Sequence, residues 1–434
     1  MRLLFAANAP WCSSGYGVQS KSLLPRLAAL PEVGGRENVG IFAWWGLKGG
    51  IMGWEGFKVY PLGDDGYGND RYETYVKDFQ ADALITLIDV WVVPRLGERI
   101  APVPWLPWMP VDADPVSFGQ YQGVQTAAAP MVFSKWGSGL LDKAGVKNLY
   151  VPCGIEPDVF KVLPDEERTR FRQESFGGDY FMVTMVAANK GQDDRKGFAA
   201  SLRAFAQFAK DKEDVRLYLH TEPSRKHDGV DLGMMAALLG IQTKTLTPEQ
   251  WRYDIGYPDT YMAQVYNASD VLLLNSKREG FGIPLIEAQA CGCPVITSAW
   301  ASQPELARWG HVIEPLDLEW CGLGSWQAIP DSHKTYLALE EMYEEWRATR
   351  GWDRELRLDA EQQIHREYSW DVLVHDYWHP LLTRLADGHD LLSTQPAPDF
   401  ERRNGASAQH GNTAALDDNG GVPSPEPSIA ELVG

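Results

Sequence analysis

Two glutamates, Glu279 and Glu287, stand eight residues apart in the stretch Asn275-Ser276-Lys277-Arg278-Glu279-Gly280-Phe281-Gly282-Ile283-Pro284-Leu285-Ile286-Glu287. The apolar run before it, Val271 to Leu274, reads as a buried parallel strand. Pro284 falls where the first residue of a following helix belongs. Backbone N–H groups and the positive end of a helix dipole then meet at the carboxyl end of a strand, which suits phosphate. Glu279 lies in the loop and Glu287 about one turn into the helix, so a ligand over the helix start can meet both. A carboxylate beside a diphosphate is suited to accept hydrogen bonds from hydroxyls, as on a ribose or a hexose. An ordinary strand–turn–helix with solvated glutamates fits the pattern alone equally well.

The chemistry such a site needs next is positive charge. Tyr180 to Ala188 reads as a buried strand, and the loop after it is Asn189-Lys190-Gly191-Gln192-Asp193-Asp194-Arg195-Lys196-Gly197. Lys196 can reach the same crevice, where its ammonium would oppose the charge that grows on a departing diphosphate. A solvated surface lysine is the plain alternative, and Arg195 and Lys190 are both candidates for a second cation. Near the N-terminus the strand Arg2 to Ala7 leads into Asn8-Ala9-Pro10-Trp11-Cys12-Ser13-Ser14-Gly15-Tyr16-Gly17 and a helix over Val18 to Leu30. That loop can cradle an anion, but Ser20 replaces the third glycine of a dinucleotide fingerprint. Asp112-Ala113-Asp114 invites a metal-binding reading; Pro115 follows at once and no second ligand cluster accompanies it, so a turn or substrate-facing loop is expected instead.

The stretch Glu279 to Pro294 resembles the Glu-x7-Glu signature of the retaining GT-B glycosyltransferases, glycosyltransferase family 4 in particular. Pro152-Cys153-Gly154-Ile155-Glu156-Pro157-Asp158-Val159-Phe160 is similar to the family's passage into its second domain, and Pro304-Glu305 to the end of its Gly-Gly-x-Pro-Glu segment. The resemblance implies two Rossmann-like domains facing across a cleft and sugar transfer from a nucleotide diphosphate, a UDP- or GDP-sugar, with retention and without a bound metal. It implies that Glu287 holds the ribose hydroxyls, Glu279 the hexose hydroxyls and Lys196, with Arg195, the diphosphate. Backbone N–H groups of Gly280, Phe281, Gly282 and Ile283 would face the donor, and Gly15 and Gly17 would let the first loop approach it. The family often places a His near the sugar's sixth carbon. None occurs between Met1 and Tyr180, which leaves Asp89, Asp112 or Asp114 for that space. Asp112 is taken here as the third catalytic residue beside Glu279 and Lys196.

The elements that must position these residues alternate between strands and helices through both halves, which predicts a pair of doubly wound α/β sheets. The loops after Ala7, Ile88 and Met109 should line one wall of the cleft. The expected divisions are 1–156 for an acceptor-side domain and 157–369 for a donor domain. A helix over 370–387 would cross back to the first domain, and 388–434 has the composition of a disordered tail. The 434 residues suffice for two or three domains, with 44% hydrophobic and 23% charged content. A net charge of −19 opposes a broad nucleic-acid-binding face. Cys12, Cys153, Cys291, Cys293 and Cys321 are too scattered for a disulfide framework, and no apolar run is long enough to span a bilayer. A cytoplasmic protein is expected, with a glycan, a protein or a small molecule as acceptor. Two rivals stay open: a sugar-nucleotide epimerase on the same fold, and a non-catalytic nucleotide-sugar or glycan-binding protein.

Overall fold

The computed structural model describes residues 1–191, 193–349 and 351–393. The first sheet is built from β1 Leu3–Asn8, β2 Val39–Trp45, β3 Met52–Trp54, β4 Phe57–Tyr60, β5 Ala83–Leu87, β6 Trp105–Met109, β7 Met131–Val132 and β8 Leu149–Tyr150. Its order is β3-β4-β2-β1-β5-β6-β7-β8, parallel except where β3 meets β4. The second sheet holds β9 Phe181–Val186, β10 Val215–His220, β11 Thr245–Leu246, β12 Val271–Leu274, β13 Val295–Ser298 and β14 Gly310–Ile313. Its order, β11-β10-β9-β12-β13-β14, is parallel throughout. This is the GT-B arrangement.

The central strands are apolar on both faces because helices cover both. In β1 every residue from Leu3 to Ala7 is fully buried; Leu3, Phe5 and Ala7 point into one core and Leu4 and Ala6 into another. The first of these cores also contains Leu272, Leu274, Phe281 and Leu285 of the second half. The link is the end of the chain. Trp370 and Trp378 lie edge-on to Trp108 of β6, with ring centroids 6.4 and 5.1 Å away. Around the passage Pro152–Phe160, Ile155 N donates to Tyr368 O at 2.9 Å and Trp370 N to Ile155 O at 3.1 Å. Gln19 seals this crossing by a two-way bond with the Gly154 backbone, and Arg26 grips Glu156 with both guanidinium nitrogens at 2.8 and 2.9 Å.

Several pieces were not expected from the sequence, among them the edge strand β3 and the two that follow. A hairpin, β15 Asp317–Cys321 with β16 Ser325–Ile329, follows the last strand of the second sheet, and a short helix, Asp165–Phe171, precedes β9. The closing helix is one element from Trp370 to Ala386 with a wider turn at Val374–Trp378. Of the segment expected to be a tail, residues 388–393 form turns with Leu391 buried in the shared core; 394–434 lies outside the described residues. No helix among the described residues is long and apolar enough to cross a membrane. All five cysteines are free thiols.

Candidate functional site

In each sheet the chain reverses its direction of travel once, beside the first strand. In the first sheet that point lies between β1 and β5, and in the second between β9 and β12. Ligands of open α/β sheets bind beyond the strand ends at such a point. The loops there carry the residues singled out above: Gly15 and Gly17 after β1, Asp89 after β5, Arg195 and Lys196 after β9, and Glu279 to Glu287 after β12.

After β12, buried Ser276 donates from Oγ to Glu279 Oε1 at 2.7 Å. Gly282, at φ +110, caps the helix Ile283–Ala290, a conformation open to glycine and costly for other residues. Ser302 Oγ lies 2.8 Å from the Glu279 carbonyl and 2.6 Å from that of Phe281, so it pins the turn from behind. Phe281 is buried against Tyr368, 5.8 Å between ring centroids. The result is a rigid corner with an amide-rich helix start.

Glu279 is buried and held by cations. Lys196 Nζ donates to its Oε1, and Arg195 Nη1 is 3.5 Å from its Oε2. Burial alone would raise the pKa of this carboxyl group, but Lys196, Arg195 and the Ser276 hydroxyl outweigh it and hold it at about 2. Burial, with Arg195 alongside, pulls the Lys196 pKa down despite Glu279. Arg195 therefore supplies the second cation. Lys190 is exposed, and Asn189 is spent on structure, its side chain donating to the carbonyls of Glu222, Ser224 and Val230.

Glu287 is in a different state. Its carboxyl group accepts from Tyr266 Oη at 2.7 Å with no cation paired to it among the described residues, and burial lifts its pKa to about 7. Two carboxyl groups on one turn are thus held in opposite conditions near neutrality, one fixed as an anion and one poised between forms.

The first domain approaches this corner closely. A Cβ on Gly280 would stand 2.3 Å from Pro110 Cβ, and one on Gly15 would touch Ile283 Cδ1 at 3.5 Å. Gly17 is required by its own loop, since a Cβ there would meet the Cys12 carbonyl oxygen at 2.2 Å. Asp112 does not stand free: Arg278 Nη1 donates to its Oδ2 at 2.8 Å, while Arg278 Nε donates to Gln327 at 2.8 Å and Nη2 to Asp193 at 3.3 Å. Asp114 contributes its carbonyl, which accepts from Trp326 N of the hairpin at 2.6 Å. Asp89 faces Asp112, Arg195 and Arg278, and burial with the neighbouring Asp112 lifts its pKa to about 6. Glu305 lies three residues after Ser302 and reaches across to the first domain. Its carboxylate caps the first domain's helix Lys135–Lys143, accepting from Lys135 N at 3.1 Å and Trp136 N at 3.3 Å.

Sequence reasoning missed Tyr266, Ser302 and Arg278. Arg278 adjoins Glu279 in the chain, but its partner Asp112 is 166 residues away, and no local pattern could pair them.

The fold is that of the GT-B proteins. Residues 166–349 match the sequence family described as Glycosyl transferases group 1, and the chain resembles the retaining members of the GT-B class. O-antigen chain mannosyltransferase B of Escherichia coli is 36% identical over 87 residues, 20% of this chain and 23% of that protein. The chain thus matches about a quarter of the length of the curated relatives. Two solved structures share the fold along nearly the whole chain: HepE of Anabaena in complex with UDP-glucose, with a TM-score of 0.64 and 14% identity, and sucrose-phosphate synthase of Thermosynechococcus elongatus, with 0.65 and 17%. Each alignment covers 89% of this chain and 100% of the other.

Proposed function

We infer that this chain is a glycosyltransferase that moves a sugar from a nucleotide diphosphate to an acceptor hydroxyl with retention of configuration and without a metal ion. The observation that carries the reading is the pairing of Lys196 and Arg195 with Glu279 at the mouth of the Ile283–Ala290 helix, with Glu287 one turn farther on. Before the donor arrives, Glu279 balances the two cations. A diphosphate over the helix start takes over Lys196 and Arg195, and Glu279 then accepts from hexose hydroxyls while Glu287 accepts from the ribose.

As the bond from the anomeric carbon to phosphate oxygen breaks, its electron pair stays on the diphosphate, where Lys196, Arg195 and the helix start stabilise it. The acceptor oxygen bonds to the same face of that carbon and gives its proton to the departing phosphate oxygen. Catalysis is then positioning plus charge stabilisation, with no covalent nucleophile on the protein. Residues 1–156 would present the acceptor and 157–369 the donor. Supporting the donor class are the likeness to a protein crystallised with UDP-glucose and the match of residues 166–349.

The test is a thermal-shift and hydrolysis panel of UDP-, GDP- and ADP-sugars on wild type, Glu287→Ala and Lys196→Ala, with and without EDTA. The reading expects one nucleotide sugar to stabilise the wild type and be slowly hydrolysed, indifferent to EDTA and lost in both variants. No response to any nucleotide would overturn it.

A further inference from the structure

At or beyond the cleft-edge ends of four neighbouring strands of the first sheet, β2, β1, β5 and β6, stands an exposed aromatic: the last residue of β2, a loop residue after β1, a short turn after β5 and the start of the helix Phe118–Val124 after β6. In that spatial order they are Trp45 (60% exposed), Trp11 (39%), Trp91 (46%) and Phe118 (77%). Their placement is fixed by contacts. Trp11 Nε1 donates to Gly46 O at 3.1 Å and its ring lies 6.4 Å from that of Trp54. On the other side a Cβ on Gly119 would stand 3.0 Å from Trp91 Cβ, so the start of the helix Phe118–Val124 packs on the turn that carries Trp91. Burial is what usually rewards aromatic side chains, and a set of exposed ones along one line marks a binding surface.

The polar groups of these loops choose the ligand. Loops 9–14, 46–51, 61–71, 88–95 and 110–117 carry Asp64, Asp65, Asp70, Asp89, Asp112 and Asp114 against Lys48, Arg71 and Arg95. Loop 61–71 belongs to the adjoining β4; Arg71 is paired with Asp64 and Asp70, Arg95 with Glu98, and Asp112 with Arg278 of the second domain, which leaves, among the described residues, Asp89 and Asp114 as the acids without such a pair nearest the aromatics. An anionic lipid surface or a phosphorylated acceptor would meet net negative charge here. A neutral polyhydroxylated chain would instead find aromatic faces for its C–H surfaces and carboxylates for its hydroxyls.

We propose that this strip binds a neutral oligosaccharide, with its end toward Asp89 and Asp112, and that such a glycan is the acceptor. At about 4.8 Å between strands, four strands set the aromatics across roughly 14 Å, a span for a short run of sugar rings rather than one. The acceptor role rests on the transferase reading; the binding does not.

The experiment titrates the full chain, without nucleotide, with neutral gluco-, manno- and galacto-oligosaccharides of one to six units in α and β linkage, followed by tryptophan fluorescence and ligand-observed NMR. Affinity should rise roughly tenfold from one unit to three and fall by a similar factor in Trp45→Ala and Trp91→Ala, while Trp45→Phe retains most of it. Unaltered melting temperatures establish that the variants are folded. No binding by any of these sugars, or binding that neither alanine variant weakens, would overturn the proposal. So would a dimer seen by light scattering that Trp45→Ala dissociates, or a preference for equimolar phosphatidylcholine–phosphatidylglycerol vesicles. Oligosaccharide binding in a protein that ignores every nucleotide sugar would sink the transferase reading and leave the glycan site standing.

Discussion

At the scale of single residues, the site works by giving like groups unlike surroundings. Glu279 is anionic because two cations and a hydroxyl outweigh its burial, and Glu287 is poised near neutrality because burial meets only a tyrosine hydroxyl. If an ionised Glu287 holds the ribose, donor affinity should climb as pH rises through about 7 and level off above it, and Glu287→Gln should flatten the profile. Binding isotherms from pH 5 to 9 decide this, and a wild-type curve without that step would count against the assignment. The same shift has a stability sign. The folded pKa lies above the unfolded value of 4.5, so ionisation opposes folding; that cost is absent at pH 4, grows to about pH 7 and is then constant. Glu287→Gln should therefore melt higher than wild type at pH 8 and not at pH 4, by at most about 3 kcal/mol. If the proposed mechanism holds, Lys196→Ala should lower turnover on the order of a hundredfold or more, because it removes a cation that would stabilise the departing diphosphate. Steady-state kinetics with the donor named by the panel would show it, and a loss below fivefold would move the diphosphate elsewhere.

At the scale of elements, the unexpected piece is the hairpin Asp317–Ile329. It pairs with both domains at once: Ala328 N donates to Lys277 O at 2.9 Å beside the Glu279 turn, while Trp326 N and Ser325 Oγ donate to Asp114 O and Pro115 O at 2.6 and 2.7 Å. Arg278 spans the same gap, joining Gln327 of the hairpin to Asp112 of the first domain. These contacts bridge the two domains beside the Glu279 turn. In a double-mutant cycle Arg278→Ala and Asp112→Asn should each raise the donor KM about tenfold, and together little more, a coupling of about 1 kcal/mol or greater. Full additivity would show that the pair does not act as a unit. Little of this was legible beforehand. The hairpin strands are short and one face of each meets solvent, with Trp320 and Trp326 57 and 43% exposed, so no apolar run marks them.

At the scale of the whole molecule, the two halves are joined by a shared core rather than a bare linker. Trp108, Trp370 and Trp378 are fully buried, and their cluster extends from Leu3 to Leu285. Trp370→Ala should cost about 3 to 5 kcal/mol, with both halves losing stability together. Calorimetry reads this as one transition moving down, whereas a split into two transitions would show that the halves fold separately. With all five thiols free, a reductant should leave the melting temperature unchanged.

The sequence by itself determined what depends on near neighbours in the chain. The run Val271–Leu274 could be read to the residue. The strand–Gly–Pro–helix corner that carries Glu279 and Glu287 was equally plain, because hydrophobic period, glycine and proline act within a few residues. Tertiary structure decided everything set by distance in the chain. It set Arg195 rather than Lys190 beside Glu279, put Glu305 at the cap of a helix in the other domain, and gave Asp112 to Arg278. It also set the state of Glu287, whose pKa follows from what surrounds the carboxyl group and not from the letters beside it. A charge is governed by the solvent it loses and the partners it gains, and both are assigned only when distant loops meet across the cleft.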